Sequence, residues 1–104
     1  MSGQRELFGF LNESVFGSTR ESSDARSRMA AFAERWDYCL AKVYAEKPDA
    51  ESDAFDQLRA AVAGAQVPVV VPSAAHLAPY GDLPTVVAEL ERSSGHAVLA
   101  SEAY

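Results

Sequence analysis

Val67-Pro68-Val69-Val70-Val71-Pro72 is the stretch that decides the fold. Consecutive valines leave no polar position for water on either side, and a strand buried on both faces belongs to a parallel sheet covered by helices. Pro68 lacks an amide donor, so it fits only at the strand's start or where no ladder bond is needed. Working outward, Leu7-Phe8-Gly9-Phe10-Leu11 is a second continuous apolar run with turn-forming residues beyond it, hence another buried strand. Tyr38 to Ala45 and His96 to Ser101 supply two more.

Helical patterns separate these strands. Ala25, Met29, Phe32, Ala33 and Trp36 form one apolar stripe, with Ser23 placed to cap the helix, Asp24 in its first turn and Asp37 suited to the left-handed turn at its end. The stripe assigns Trp36 to the edge of the core. Ser52 or Asp53 opens a second helix whose Phe55, Leu58 and Val62 share a face and which Gly64 is placed to stop. Asp82 caps a third, carrying Leu83, Val86, Val87 and Leu90 and closed by Ser94-Gly95. Asn12 to Ser22, Glu46 to Ser52 and Ser73 to Gly81 remain as loops.

Strand, helix, strand repeated three times implies parallel pairing through right-handed crossovers. The expected fold is therefore α/β: an open, mostly parallel four-stranded sheet of order 2-1-3-4 with helices on both faces, in one domain over residues 1–104. Ligands of such sheets gather beyond the carboxyl ends of the strands. Any site is expected within Asn12 to Arg20 and Ser73 to Gly81.

Composition narrows the chemistry. The 104 residues carry 48% apolar side chains and a formal charge of −6, from 9 basic and 15 acidic groups, which speaks against a sequence-independent hold on nucleic-acid phosphates. A single cysteine, Cys39, has no internal partner and points to a reducing compartment, the cytoplasm; it reads as a small buried hydrophobe. No run is long and apolar enough for a membrane span. The two histidines and one cysteine lack metal-ligand spacing, so no metal is expected, and no cofactor. The loop after the first strand has too few glycines for a dinucleotide site, and Gly-Lys-Ser/Thr is absent. Pro72-Ser73 stands where a phospho-receiver domain would carry aspartate.

Two small constellations remain. Asn12, Ser14, Ser18, Thr19 and His76 could hold an anion with backbone amides, hydroxyls and the positive end of a helix, although hydroxyl residues also simply favour loops. Ser14, His76 and Asp82 could be drawn as a nucleophilic triad, but no strained elbow or oxyanion device accompanies them. Arg20, Arg26 and Arg28 are interleaved with Glu21 and Asp24, the pattern of a solvated helix face.

The order of elements and several local strings resemble the catalytic domain of the resolvase/invertase family of serine recombinases. The strings are Phe10-Leu11-Asn12-Glu13-Ser14, Ala33-Glu34-Arg35-Trp36-Asp37-Tyr38 with Val43-Tyr44, Phe55-Asp56-Gln57-Leu58, and Val69-Val70-Val71-Pro72-Ser73-Ala74-Ala75-His76-Leu77-Ala78-Pro79. The likeness runs from about Leu7 to Ser101. It implies a nucleophilic serine, matched in position by Ser14, surrounded by arginines that neutralise charge on the DNA phosphate. Here the arginine two residues before the serine is Asn12, the loop aspartate is Ala75, the next arginine is His76 and the last is Pro79. Losing one strong donor to a developing oxyanion typically costs about 2.7–4 kcal/mol, and three are absent.

The resemblance therefore implies a non-catalytic relative, a pseudoenzyme acting as a protein-interaction or regulatory module. With three helices, the face under the first is expected to lack cover near the third and fourth strands. Exposed apolar sheet is unfavourable by about 25 cal/mol per Å², so the N-terminal segment, the tail Glu102-Ala103-Tyr104, a second copy or another protein should cover it. A homodimer is the expected assembly, with direct DNA binding not expected. The alternatives are a small-anion or nucleotide-binding domain built on the loops after the first and third strands, and, more remotely, residual DNA strand transfer through Ser14.

Overall fold

The computed structural model describes residues 5–13, 19–47 and 53–101. The elements run β1 (Arg5–Asn12), α1 (Thr19–Arg35), β2 (Tyr38–Glu46), α2 (Ala54–Ala65), β3 (Val69–Val71), α3 (Leu83–Ser94) and β4 (Leu99–Ala100), with 3-10 turns at Ala74–His76 and Ala78–Tyr80. The four strands form one all-parallel sheet in the order β2-β1-β3-β4. This is the α/β architecture that the valine run and the alternating patterns predict.

Alternation along the strands sorts the core into two layers. Phe10, Tyr44, Val69 and Val71 pack with Phe55, Leu58 and Val62 of α2 and Val86 and Leu90 of α3. Leu7, Leu11 and Val70 face the other way, onto Met29 and Ala33 of α1. Gly9 lies beneath the Met29 methyl, where a Cβ would press on Met29, Leu40 and Val43, so glycine lets α1 sit close on the sheet. Cover under α1 is complete at β3, where Val70 is fully buried, and thins at β4, where Leu99 is half-buried.

The turn chemistry follows local rules. Asp37 takes the left-handed conformation at φ 65°. Asp82 stands at the N-cap of α3 and accepts from the Thr85 hydroxyl at 3.0 Å, while Gly95 ends that helix at φ 77° with its amide on the Glu91 carbonyl. Pro68 precedes β3, and its carbonyl accepts the Phe8 amide at 3.0 Å, so the missing donor leaves the pairing intact.

Several boundaries differ from expectation. Helix α1 starts at Thr19, so Ser23 lies inside it; the buried stripe reaches back to Ser22, 6% exposed, and that residue needs a helical turn before it. Helix α2 passes through Gly64 and ends at Ala65, because Gln66 itself takes the left-handed position and returns its amide to the Val62 carbonyl. Strands β3 and β4 are shorter than the apolar runs that contain them. Trp36 is 61% exposed, not at the core edge, since α1 ends one residue before it. Cys39 is exposed as well: it sits opposite Glu6 at the open amino end of edge strand β2.

Candidate functional site at the carboxyl end of the sheet

Strand order reverses at β1, whose carboxyl end lies beside that of β3; this is the switch point at which open α/β sheets gather ligands. Asn12 ends β1, 4% exposed, and the 3-10 turn after β3 delivers His76, 2% exposed. The Asn12 backbone amide donates to His76 Nδ1 at 2.9 Å. A ring nitrogen that accepts an amide proton carries none itself, so Nε2 holds the ring proton.

A second chain of bonds runs through side chains. Asn12 Nδ2 donates to the Tyr80 hydroxyl at 3.3 Å, and that hydroxyl donates to Glu46 Oε1 at 3.0 Å. The register makes this pairing. An extra residue, Ala41, bulges β2 between the pairs Leu7–Leu40 and Phe8–Lys42, and the shifted ladder then sets Glu46 directly opposite Asn12. Tyr80 is fixed by its ring, stacked on Phe55 at 4.1 Å between centroids and edge-on to Phe10 at 5.7 Å. Leu77, fully buried, pins the same loop from beneath.

Electrostatically the cluster is acidic. Burial and then the Glu46 carboxylate, through its hydrogen bond and its charge, push the Tyr80 phenol well above its ordinary range; Asp56 adds to the rise and the Asn12 bond opposes it. Glu46 Oε2 is buried and accepts no hydrogen bond among the described residues. Arg26 pairs with Glu13, next to Asn12, at 3.3 Å, so this guanidinium is neutralised where it meets the end of β1. Arg20 is exposed on the first turn of α1.

Of the residues singled out in the sequence, the fold joins Asn12 and His76. Ser14, Ser18 and the Thr19 side chain lie outside the described residues, as does any triad through Ser14. His96 is exposed ahead of β4, far along the chain from His76 and at the opposite end of the sheet, where it lines an open cleft of about 310 Å³ with Arg5, Glu6, Gln66, Val67 and Pro68. Glu46 and Tyr80 were not among the sequence candidates. Tyr80 lay within the loop already singled out; Glu46 lay at the end of the neighbouring strand, and only the bulge decides which way it points.

Chemically, the cluster turns several of its polar atoms inward: the Asn12 amide is taken by His76, the Tyr80 proton is taken by Glu46, and the remaining buried carboxylate oxygen, which has no described partner, repels negative charge. No group of three or more histidine, cysteine or acidic side chains suited to a metal occurs among the described residues, and no helix among them is long and apolar enough to cross a membrane. Comparison with protein-family models, with curated proteins and with solved structures finds no match for this chain in any of the three.

Proposed function

We propose that this chain is a non-catalytic, resolvase-like module of the cytoplasm that works through protein contacts, a second copy of itself being the first partner. One observation carries the reading. Among the described residues, the carboxyl end of the sheet, where a phosphodiester would have to be bound, holds an Asn12–His76 and Asn12–Tyr80–Glu46 network with a buried carboxylate oxygen and no converging guanidiniums. Such a network ties the loop after β3 to the ends of β1 and β2 and puts a carboxylate where charge neutralisation would be needed. The scaffold then acts through its surface, and the two-residue strand β4, paired to β3 alone among the described residues, is the natural place for a second copy.

Two measurements test this. Light scattering on the eluting protein is expected to give a dimer mass, and a monomer at every concentration overturns the self-association. Incubation with supercoiled plasmid is expected to give no nicked product; nicking that disappears in Ser14→Ala overturns the pseudoenzyme reading. A thermal-shift series with phosphates and nucleotides separates the anion-binding alternative, since ligand at 100 times its dissociation constant would add about 2.7 kcal/mol. No shift is expected.

A further inference from the structure

The amino end of the sheet carries the open cleft of about 310 Å³, which the network at the opposite end does not use. That volume stands at the lower end of the range of small-molecule sites, about 300–1,000 Å³, so the cleft suits a ligand of few heavy atoms. Val67 and Pro68 are buried and give it an apolar floor, while Arg5, Glu6, Gln66 and His96 stand exposed around the rim. Arg5 and Glu6 form no ion pair among the described residues. Gln66 and His96 are bonded there through their backbones, to the Val62 carbonyl and the Ser94 hydroxyl, which leaves both side chains to the cleft.

Alternation along β1 sorts the two charges. Arg5 falls in step with Leu7, on the α1 side of the sheet, and Glu6 with Phe8, on the side of α2 and α3, so the two project away from each other. The Glu6 side is also where α2 ends. Its last turn carries no basic side chain, so the partial negative charge of its carbonyl end adds to that of the carboxylate. A cation is therefore favoured on one side of the β1 end, and on the other the Arg5 guanidinium offers a carboxylate two parallel bonds. Glu91 and Arg92 at the end of α3, and Glu34, Arg35 and Asp37 at the end of α1, lie outside the lining, which leaves Arg5 and Glu6 as the charges that face a ligand. A singly charged ligand meets one attraction and one repulsion here, whereas a ligand with both charges close together meets two attractions.

We infer that the cleft at the amino end of the sheet is a site for a small zwitterion, a free α-amino acid with an apolar side chain. The ammonium lies toward Glu6 and the carbonyl end of α2, and the carboxylate lies on Arg5, with the His96 ring and the Gln66 carboxamide as neutral hydrogen-bond partners. The apolar side chain rests on Val67 and Pro68. The inference goes beyond the interaction-module reading and does not depend on it, since the site needs neither a second copy nor the network at the carboxyl end.

The probe is leucine, titrated into the full chain and followed by calorimetry and by the NMR signals of the two histidine rings, of which His96 lines the cleft and His76 lies at the far end of the sheet. A saturable response is expected, with the His96 signals shifting and those of His76 unmoved. N-acetyl-leucine, which lacks the ammonium, and leucine amide, which lacks the carboxylate, are each expected to bind at least about tenfold more weakly. Glu6→Gln and Arg5→Gln should each weaken leucine by a similar factor. The pairing is specific: Glu6→Gln should no longer prefer leucine to N-acetyl-leucine, and Arg5→Gln should no longer prefer leucine to leucine amide. Circular dichroism confirms that each variant keeps its helices. The inference is overturned by no saturable response, by equal binding of either blocked form, by unchanged affinity in either variant, or by a response at His76 in place of His96. Its failure leaves the interaction module standing, because light scattering reads self-association without the ligand. A monomer that binds leucine with this pattern keeps the site and overturns the dimer.

Discussion

The carboxyl end of the sheet and the outer face of α1 use similar residue types in opposite ways. At the sheet end, buried Asn12 and His76 and half-buried Tyr80 and Glu46 turn polar atoms on one another and on the backbone. On α1, Arg35 and Trp36 face solvent with neither charge nor ring enclosed. Polar groups satisfied within the fold rigidify it, whereas unsatisfied ones at the surface are available to something else. The difference separates a region held together from within from one exposed to solvent, and substitutions in the two should therefore differ in what they change.

The largest effect is expected from His76→Ala. It deletes a buried ring, leaves a cavity, and removes the acceptor of the Asn12 amide; an orphaned buried donor alone costs about 1–3 kcal/mol, so a total loss of about 3–4 kcal/mol is expected in urea unfolding. His76→Gln, which keeps an acceptor, should recover part of it. A loss below about 1 kcal/mol would mean that the network does not hold the loops.

Tyr80→Phe should come next, at about 1–3 kcal/mol, because it strips the donor from Glu46 Oε1 while Oε2 already has none. The double variant Tyr80→Phe, Glu46→Leu should be destabilised by less than the sum of the singles, since the second change removes the carboxylate that the first strands. Additive losses would show that the two residues are not coupled.

The same phenol sets a pH dependence. Its folded pKa is raised above the unfolded value near 10, so between the two the folded chain holds a proton that the unfolded chain has released. The unfolded state binds fewer protons there, and stability falls as pH rises above about 10. Below that, both states are protonated and the term vanishes. Comparing wild type with Tyr80→Phe isolates it from the other tyrosines and the lysines: the decline should be shallower in the variant, and parallel curves would refute the assignment.

Much of this architecture was legible in the residues, for reasons that also explain the gaps. Three adjacent valines at 69–71 can only be a strand covered on both sides, and the helical stripes around Met29, Leu58 and Leu90 say which faces of their helices turn inward. Crossover handedness then limits the strand order and brings Asn12 to the same end as the loop that holds His76. Glu46 was not legible because a single bulged residue, Ala41, reverses the side on which the end of β2 presents its side chains. Trp36 misled for a related reason. It continues the apolar spacing of α1, but the helix stops at Arg35, and beyond the last turn the spacing no longer fixes direction.

The smallest effect should come from Trp36→Ala, and it tests the other half of the contrast. The ring is 61% exposed and touches Phe32 at a tilt, so truncation removes little buried area and strands no polar group. Exposed substitutions of this kind change stability by less than about 0.5 kcal/mol. Urea unfolding followed by far-ultraviolet circular dichroism should therefore place its midpoint beside that of the wild type, while His76→Ala unfolds far earlier. If Trp36→Ala proved as destabilising as His76→Ala, the ring would belong to the core of the folded chain in solution, and the contrast between the two regions would fail.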